Sequence, residues 1–229
     1  MAAHESNDNG GDAAGPVSSA EEEQFDYYDE AGNWLGTASR SDVHARGLWH
    51  RSIHCWLTRR DGERKLVLFQ QRCEDKDTFP SHFDITAAGH LSAGETMRDA
   101  AREIEEELGA YVPFDALIPL GEARKETAGF AKGVDFIDRE ASEVFGFIYD
   151  EPLASLTLQP EEVAGIYEAD LEAMIALFEG RQDHAAAAGF RLGSDQQPLA
   201  ASVQVKASDF VPRPASYYSD VFRALLLSL

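Results

Sequence analysis

Two β-rich runs, "HRSIHCWLTRR" (residues 50–60) and "KLVLFQQRC" (65–73), flank the turn sequence "DGE". Branched and aromatic side chains on both sides of an Asp-Gly pair predict an antiparallel hairpin. A second hairpin is predicted upstream in "FDYYDEAGNWLGTASR", where aromatic residues surround the turn formers Asp29, Gly32 and Asn33. Downstream, "HFDITAAGH" reads as a short strand running into "GHLSAGETMRDAAREIEEELGA", residues 89–110. Thr96 followed three residues later by Asp99 makes a capping box. One helix is therefore predicted from Thr96 to Leu108, with Gly109 as its stop. Further strands are predicted near "LIPLGEARK", "SEVFGFIY" and "VAGIYEA", then a helix at "DLEAMIALFEG" and a closing amphipathic helix at "SYYSDVFRALLLSL". Hairpins mixed with helices and few crossover units predict an α+β layered fold.

Residues 111–140 and 181–214 are the stretches where specificity loops are expected, and the second shows only weak periodicity. Residues 1–22 are Gly, Ala, Ser and acid with almost no large apolar side chain, which predicts a disordered acidic tail. The remaining chain divides into one domain over 23–180 and an extension over 181–229 whose closing helix packs on that domain, or on a second copy in a homodimer.

Charge narrows the range of partners. The 229 residues carry a formal net charge of −21, and only part of it is in the tail, so nucleic-acid backbones and anionic membranes are poor partners. No long apolar run and no basic-then-apolar leader pattern occur, so a soluble cytoplasmic protein is expected. Cys55 and Cys73 have no metal-type spacing and are expected to be packed in strands.

The chemistry concentrates in the predicted helix. Met97, Ala101, Ile104 and Leu108 share one apolar stripe, whereas Glu103, Glu106 and Glu107, spaced i, i+3 and i+4, share another face. Like charges at that spacing repel. Only Arg102 stands among them, and clustered hard oxygen ligands suit Mg²⁺ or Mn²⁺ whose remaining positions are filled by phosphate.

The segment resembles the signature of the Nudix hydrolases through Gly89, Glu95, Arg102, Glu103, Ile104, Glu106, Glu107 and Gly109, with Ala110 at the final aliphatic position. It departs in one respect: six residues, not seven, separate Glu95 from Arg102. The resemblance implies a Nudix-type α/β/α sandwich around a mixed β-sheet. It implies that Glu103, Glu106 and Glu107, helped by the Gly89 carbonyl, bind Mg²⁺ or Mn²⁺, and that Arg102 orients them. The implied reaction is hydrolysis of a phosphoanhydride in a small nucleoside, sugar or alcohol diphosphate, with a carboxylate taking the proton. Glu162, beside Glu161 in "LQPEEVAG", is a candidate for that base on a late loop.

Residues 25–180 are also similar to the isopentenyl-diphosphate isomerase branch of that superfamily. His44, His50 and His90 match its metal histidines, Trp56 its conserved spacing after His50, Arg72 and Lys76 its diphosphate-binding residues, and Glu143 its catalytic glutamate. Two positions depart from it. Ala88 stands where the isomerases have a catalytic cysteine, and Ala141 where they have a second metal glutamate. The intact "REIEEELG" and the missing thiol favour a hydrolase over an isomerase, because losing an acid–base group lowers rate by about 10²–10⁴-fold. A non-catalytic diphosphate sensor is the third alternative; it has no need of three clustered carboxylates.

Overall fold

The computed structural model describes residues 22–76, 78–131, 133–214 and 216–228. Apart from Glu22, the expected acidic tail lies outside the described residues.

The first hairpin pairs β1 (Gln24–Tyr28) with β2 (Trp34–Ser39) and leads into α1 (Arg40–Arg46). The Asp-Gly hairpin joins β3 (Trp49–Asp61) to β4 (Arg64–Arg72). Two short strands follow, β5 (Phe83–Asp84) and β6 (Ala87–His90). The predicted long helix is interrupted: α2 (Met97–Ala100) and α3 (Arg102–Leu108) meet at Ala101, whose ψ of −14° falls short of helical. The ends match the predicted signals. Thr96 and Asp99 form the capping box, and Gly109 closes α3 in the left-handed conformation.

The strands expected near "LIPLGEARK" and "SEVFGFIY" are longer than expected, so that 111–140, where a specificity loop is expected, is mostly a long hairpin of β7 (Ile118–Ala131) and β8 (Val134–Ile148). β9 (Val163–Asp170) precedes α4 (Leu171–Phe178). The 181–214 stretch also corrects its expectation, holding β10 (Ala185–Leu192) and β11 (Pro198–Val205); α5 (Tyr217–Ser228) ends the described chain.

Among the described residues the eleven strands form one mixed sheet, ordered β11-β10-β9-β4-β3-β1-β2. β6 and β8 also pair with β3, β7 with β8, and β5 with β4; β3 and β8 run parallel and the other pairs antiparallel. Side chains alternate across this sheet. Ile53, Cys55, Leu57 and Leu68 face Ile104 and Leu108 of α3, whereas Trp56, Val67 and Phe69 face Met174 of α4 and Phe222 of α5. The fold is thus an α/β/α sandwich in the α+β class. Cys55 is buried in β3, whereas Cys73 is buried one residue past the end of β4, its thiol on the Glu161 carbonyl at 2.8 Å. No described helix is long and apolar enough to cross a membrane.

The C-terminal residues complete this body. β10 pairs with β9 so closely that a Cβ on Gly189 would lie 2.0 Å from the Ile166 carbonyl oxygen, so only glycine fits there. Phe222 stands edge-on to Trp56 at 5.0 Å between ring centroids, and Trp56 Nε1 donates to the Tyr217 hydroxyl at 3.2 Å. Phe222→Ala is therefore expected to destabilise the whole domain by about 3–5 kcal/mol in one cooperative transition, as measured by urea denaturation. A separate early transition confined to α5 would contradict this packing.

Candidate functional site

A cleft of about 660 Å³ opens beside β6 and α3. Gly89 is its pivot. The Glu103 side chain lies across the glycine, and a Cβ there would fall 2.2 Å from the Glu103 carboxyl carbon. Ala101, Ile104 and Leu108 anchor α3 in the core, which turns Glu103, Glu106 and Glu107 toward the cleft. Arg102 holds this face together: its guanidinium reaches Glu95 at 2.8 Å, Glu103 at 3.1 Å and Glu106 at 3.3 Å.

One guanidinium does not compensate all of these acids. Glu107 is only 6 % exposed and accepts from Gln70 Nε2 at 3.1 Å and the Ala88 backbone N–H at 3.4 Å. Burial, then the neighbouring Glu103 charge, pushes its carboxyl up to about 8; burial raises Glu103 as well. Three carboxylates lining one cleft, Glu107 buried among them, with one guanidinium beside them fit a divalent cation with oxygen ligands.

A second cluster lies on the adjoining wall. The parallel register of β3 and β8 sets His50 opposite Glu140, and the antiparallel register of β3 and β6 sets Ser52 opposite His90. His44 arrives from α1. Possible ligand atoms of His44, His50 and His90 lie within 4.8 Å of one another, as do those of His50, Asp138 and Glu140. Phe25 stacks on His50 at 5.4 Å and backs the cluster. Burial, then the proximity of His90, lowers His50 to about 4, and burial lowers His44, so both favour the neutral form that ligates metals. Burial would raise Glu140, but the His90 hydrogen bond at 2.8 Å and the Lys125 charge outweigh it and hold the carboxylate well below its usual range. His50 Nε2 and Asp138 Oδ1 face each other at 3.6 Å, buried and without hydrogen-bond partners among the described residues. Two orphaned polar atoms beside neutral imidazoles fit a cation here too.

The third wall is basic. Arg72 meets Asp84 at 3.2 Å and donates to the Thr78 carbonyl, and Lys76 is paired with Glu162. Burial, then Arg72, lowers Lys76. His44, His90, Arg72, Lys76, Glu103, Glu106, Glu107, Glu162 and Gly89 all line the one cleft. His50 sits just behind it.

Glu143 does not join them. Residues 140, 142 and 144 of β8 are buried, whereas Glu143 lines a second pocket with Trp49, His50, Glu122 and Arg124. The structure thus does not bring Glu143 to the cleft, whereas Glu140 and Asp138 line it. Their alternation along β8 was the available signal. Gln70 beside Glu107 and the buried Asp84 were missed; neither has a local motif.

Comparison with known proteins shows the family and the fold. The NUDIX domain family profile matches residues 48–188. The chain is 35 % identical over 206 residues to an uncharacterized Nudix hydrolase of Clostridium acetobutylicum, covering 90 % of this chain and 98 % of that one. It is 36 % identical over 149 residues to Nudix hydrolase 3 of Arabidopsis thaliana, covering 63 % of this chain but only 19 % of that longer protein. The crystal structure of the DR0079 protein of Deinococcus radiodurans superposes with a TM-score of 0.51 at 23 % identity, over 69 % of this chain and 90 % of that one, which shows a shared fold.

The Glu107 environment predicts a pH dependence of the metal-free protein. Its carboxyl, at about 8 in the fold against an ordinary 4.5, holds its proton more tightly when folded. That contribution to stability is complete below the ordinary value and is lost as pH rises through about 8. In EDTA the melting temperature is expected to fall between about pH 5 and pH 8, and Glu107→Gln is expected to flatten that fall by a few degrees. Differential scanning calorimetry of both proteins across this range checks it; parallel curves would contradict it.

Proposed function

We propose a function from one established premise: the chain belongs to the Nudix family of hydrolases. The reading is a Mg²⁺- or Mn²⁺-dependent hydrolase that cleaves the phosphoanhydride of a small nucleoside, sugar or alcohol diphosphate. The observation that carries it is the uncompensated carboxylate face of Glu103, Glu106 and Glu107 across one cleft from Arg72 and Lys76. Acidic and basic walls of this kind suit a ligand that is itself anionic and binds with a cation.

Glu103, Glu106 and Glu107, with the Gly89 carbonyl, would hold the cation, whose contribution is to polarise the phosphoryl oxygens. Arg102 positions Glu103 and Glu106 by charge-assisted hydrogen bonds. Arg72 and Lys76 neutralise the diphosphate. Glu162 accepts the proton of the attacking water as the bridging P–O bond breaks. It lines the same cleft as the carboxylate face, beside Lys76. His44, His50 and His90, or His50 with Asp138 and Glu140, would hold a second cation.

That second site also favours one alternative, isomerisation of an allylic diphosphate. Ala88 opposes it, because no thiol stands at the cleft to exchange a proton with carbon.

Incubating the protein with a panel of nucleoside, sugar and small alcohol diphosphates plus Mg²⁺ or Mn²⁺ is expected to release monophosphate or phosphate. Glu106→Gln is expected to lower kcat by at least about 10²-fold and Glu162→Gln by a similar factor, whereas Glu143→Gln stays close to the parent. No turnover across the panel would sink the hydrolase reading. Deuterium incorporation into isopentenyl diphosphate in deuterated buffer, without phosphate release, would replace it with the isomerase.

A further inference from the structure

The basic wall of the cleft has a member that comes from outside the span matched by the family profile. Arg213 follows β11 on the segment leading to α5, and its side chain is 6 % exposed, yet it lines the cleft with Arg72 and Asp84. Asp84 is shared. Arg213 Nη2 donates to Asp84 Oδ1 at 2.8 Å and Arg72 Nη1 to Oδ2 at 3.2 Å. Two guanidiniums on one buried carboxylate leave one positive charge in excess, and a buried charge is stable only when something compensates it.

The surroundings of Arg213 fix its orientation, and among the described residues the carboxylate in direct ion-pair contact with it is the shared Asp84. Its guanidinium lies over the Tyr217 ring, 5.2 Å from the centroid, and Nη1 approaches His54 Nε2 at 3.5 Å. Burial, then the Arg213 charge, lowers His54 to about 3, so that ring is neutral and offers a lone pair, not a negative charge. Arg213 Nε is buried and has no hydrogen-bond partner among the described residues. A rigid guanidinium with an unused N–H and an unmatched charge, on the wall of a cleft, is built to meet an anion.

Its position says which one. Asp84 stands opposite Gln70 across β4 and β5, and Gln70 is the residue that donates to Glu107. The Arg213–Asp84–Arg72 group is therefore one strand pairing away from the carboxylate face. We propose that Arg213 is a substrate-binding residue, delivered by the C-terminal segment, that together with Arg72 grips one phosphoryl group of a diphosphate while the other lies toward Glu103, Glu106 and Glu107. This deepens the hydrolase reading and rests on it for the choice of a diphosphate.

Inorganic pyrophosphate is the probe, titrated calorimetrically into the full chain in EDTA, so that neither a cation nor turnover enters. The parent is expected to bind it. Arg213→Gln should weaken binding by at least about tenfold, the scale of one lost charge-assisted contact. Arg213→Lys, which keeps the charge but loses the fork, should fall between the two. Near-ultraviolet circular dichroism establishes that each variant is folded. If Arg213→Gln does not fold, Arg213→Lys alone decides. A folded variant that binds pyrophosphate as tightly as the parent would overturn the proposal, as would a parent that does not bind it. Failure of the hydrolase reading appears separately, as absent turnover with metal in the presence of intact pyrophosphate binding.

Discussion

The arrangement depends on like charges held together against their repulsion. Glu103, Glu106 and Glu107 project from a seven-residue helix toward one side, and the burial that raises Glu107 to about 8 disfavours its charged form. Such a helix would not persist alone. It persists because Ala101, Ile104 and Leu108 are clamped against Ile53 and Leu57 of the central strand, and because Gly89 leaves room for Glu103 to lie flat on β6. The core holds the acids in place, on a shared face that would suit a divalent cation. Stability and chemistry therefore pull in opposite directions at these residues, as happens where a site is organised before its ligand arrives.

The walls facing that helix are set by strand register. β3 is the common partner of β1, β4, β6 and β8, so one strand brings together residues from distant parts of the chain. His50 and Ser52 alternate inward along it, meeting Glu140 and Ser142 from β8 on one edge and His90 from β6 on the other. β4 carries Gln70 and Arg72 on the side that reaches Glu107 and Asp84. The cleft is thus acidic on one side, imidazole-lined behind and basic on the third. A chain with a net charge of −21 repels anions at long range, so an anionic ligand would depend on short-range contacts with the basic wall of the cleft.

What the sequence made legible was local. The Asp-Gly hairpin, the Thr96–Asp99 capping box, Gly109 and the apolar stripe of α3 each depend on neighbours within a few residues. The carboxylate face followed from helical periodicity alone. Non-local pairing was not legible. "AAAAGFRL" is poor in β-branched residues and becomes β10 only because β9 offers it an edge, with Gly189 permitting the close approach. Glu143 falls outside the cleft for a related reason: side chains on a strand change face at every residue, so Glu140 and Glu143, an odd number of positions apart, lie on opposite faces. Arg213 had no local signal, since its role follows from where β11 and α5 bring the chain.

The shortened interval between Glu95 and Arg102 shows how much of the site tolerates change and how much does not. The helix breaks at Ala101, inside that interval, and Arg102 begins a new helix whose side chain still reaches Glu95 at 2.8 Å while touching Glu103 and Glu106. Glu95 in turn accepts from the Ser92 backbone N–H at 2.8 Å, which ties the loop to the same guanidinium. The loop can lose a residue because a long side chain and a helix break adjust to it. The run from Arg102 to Gly109 has no such freedom, because moving any carboxylate by one position would rotate it about 100° around the helix, out of the cleft or into Ile104 and Leu108. Tolerance ends where the apolar stripe and the acidic face must share one helix.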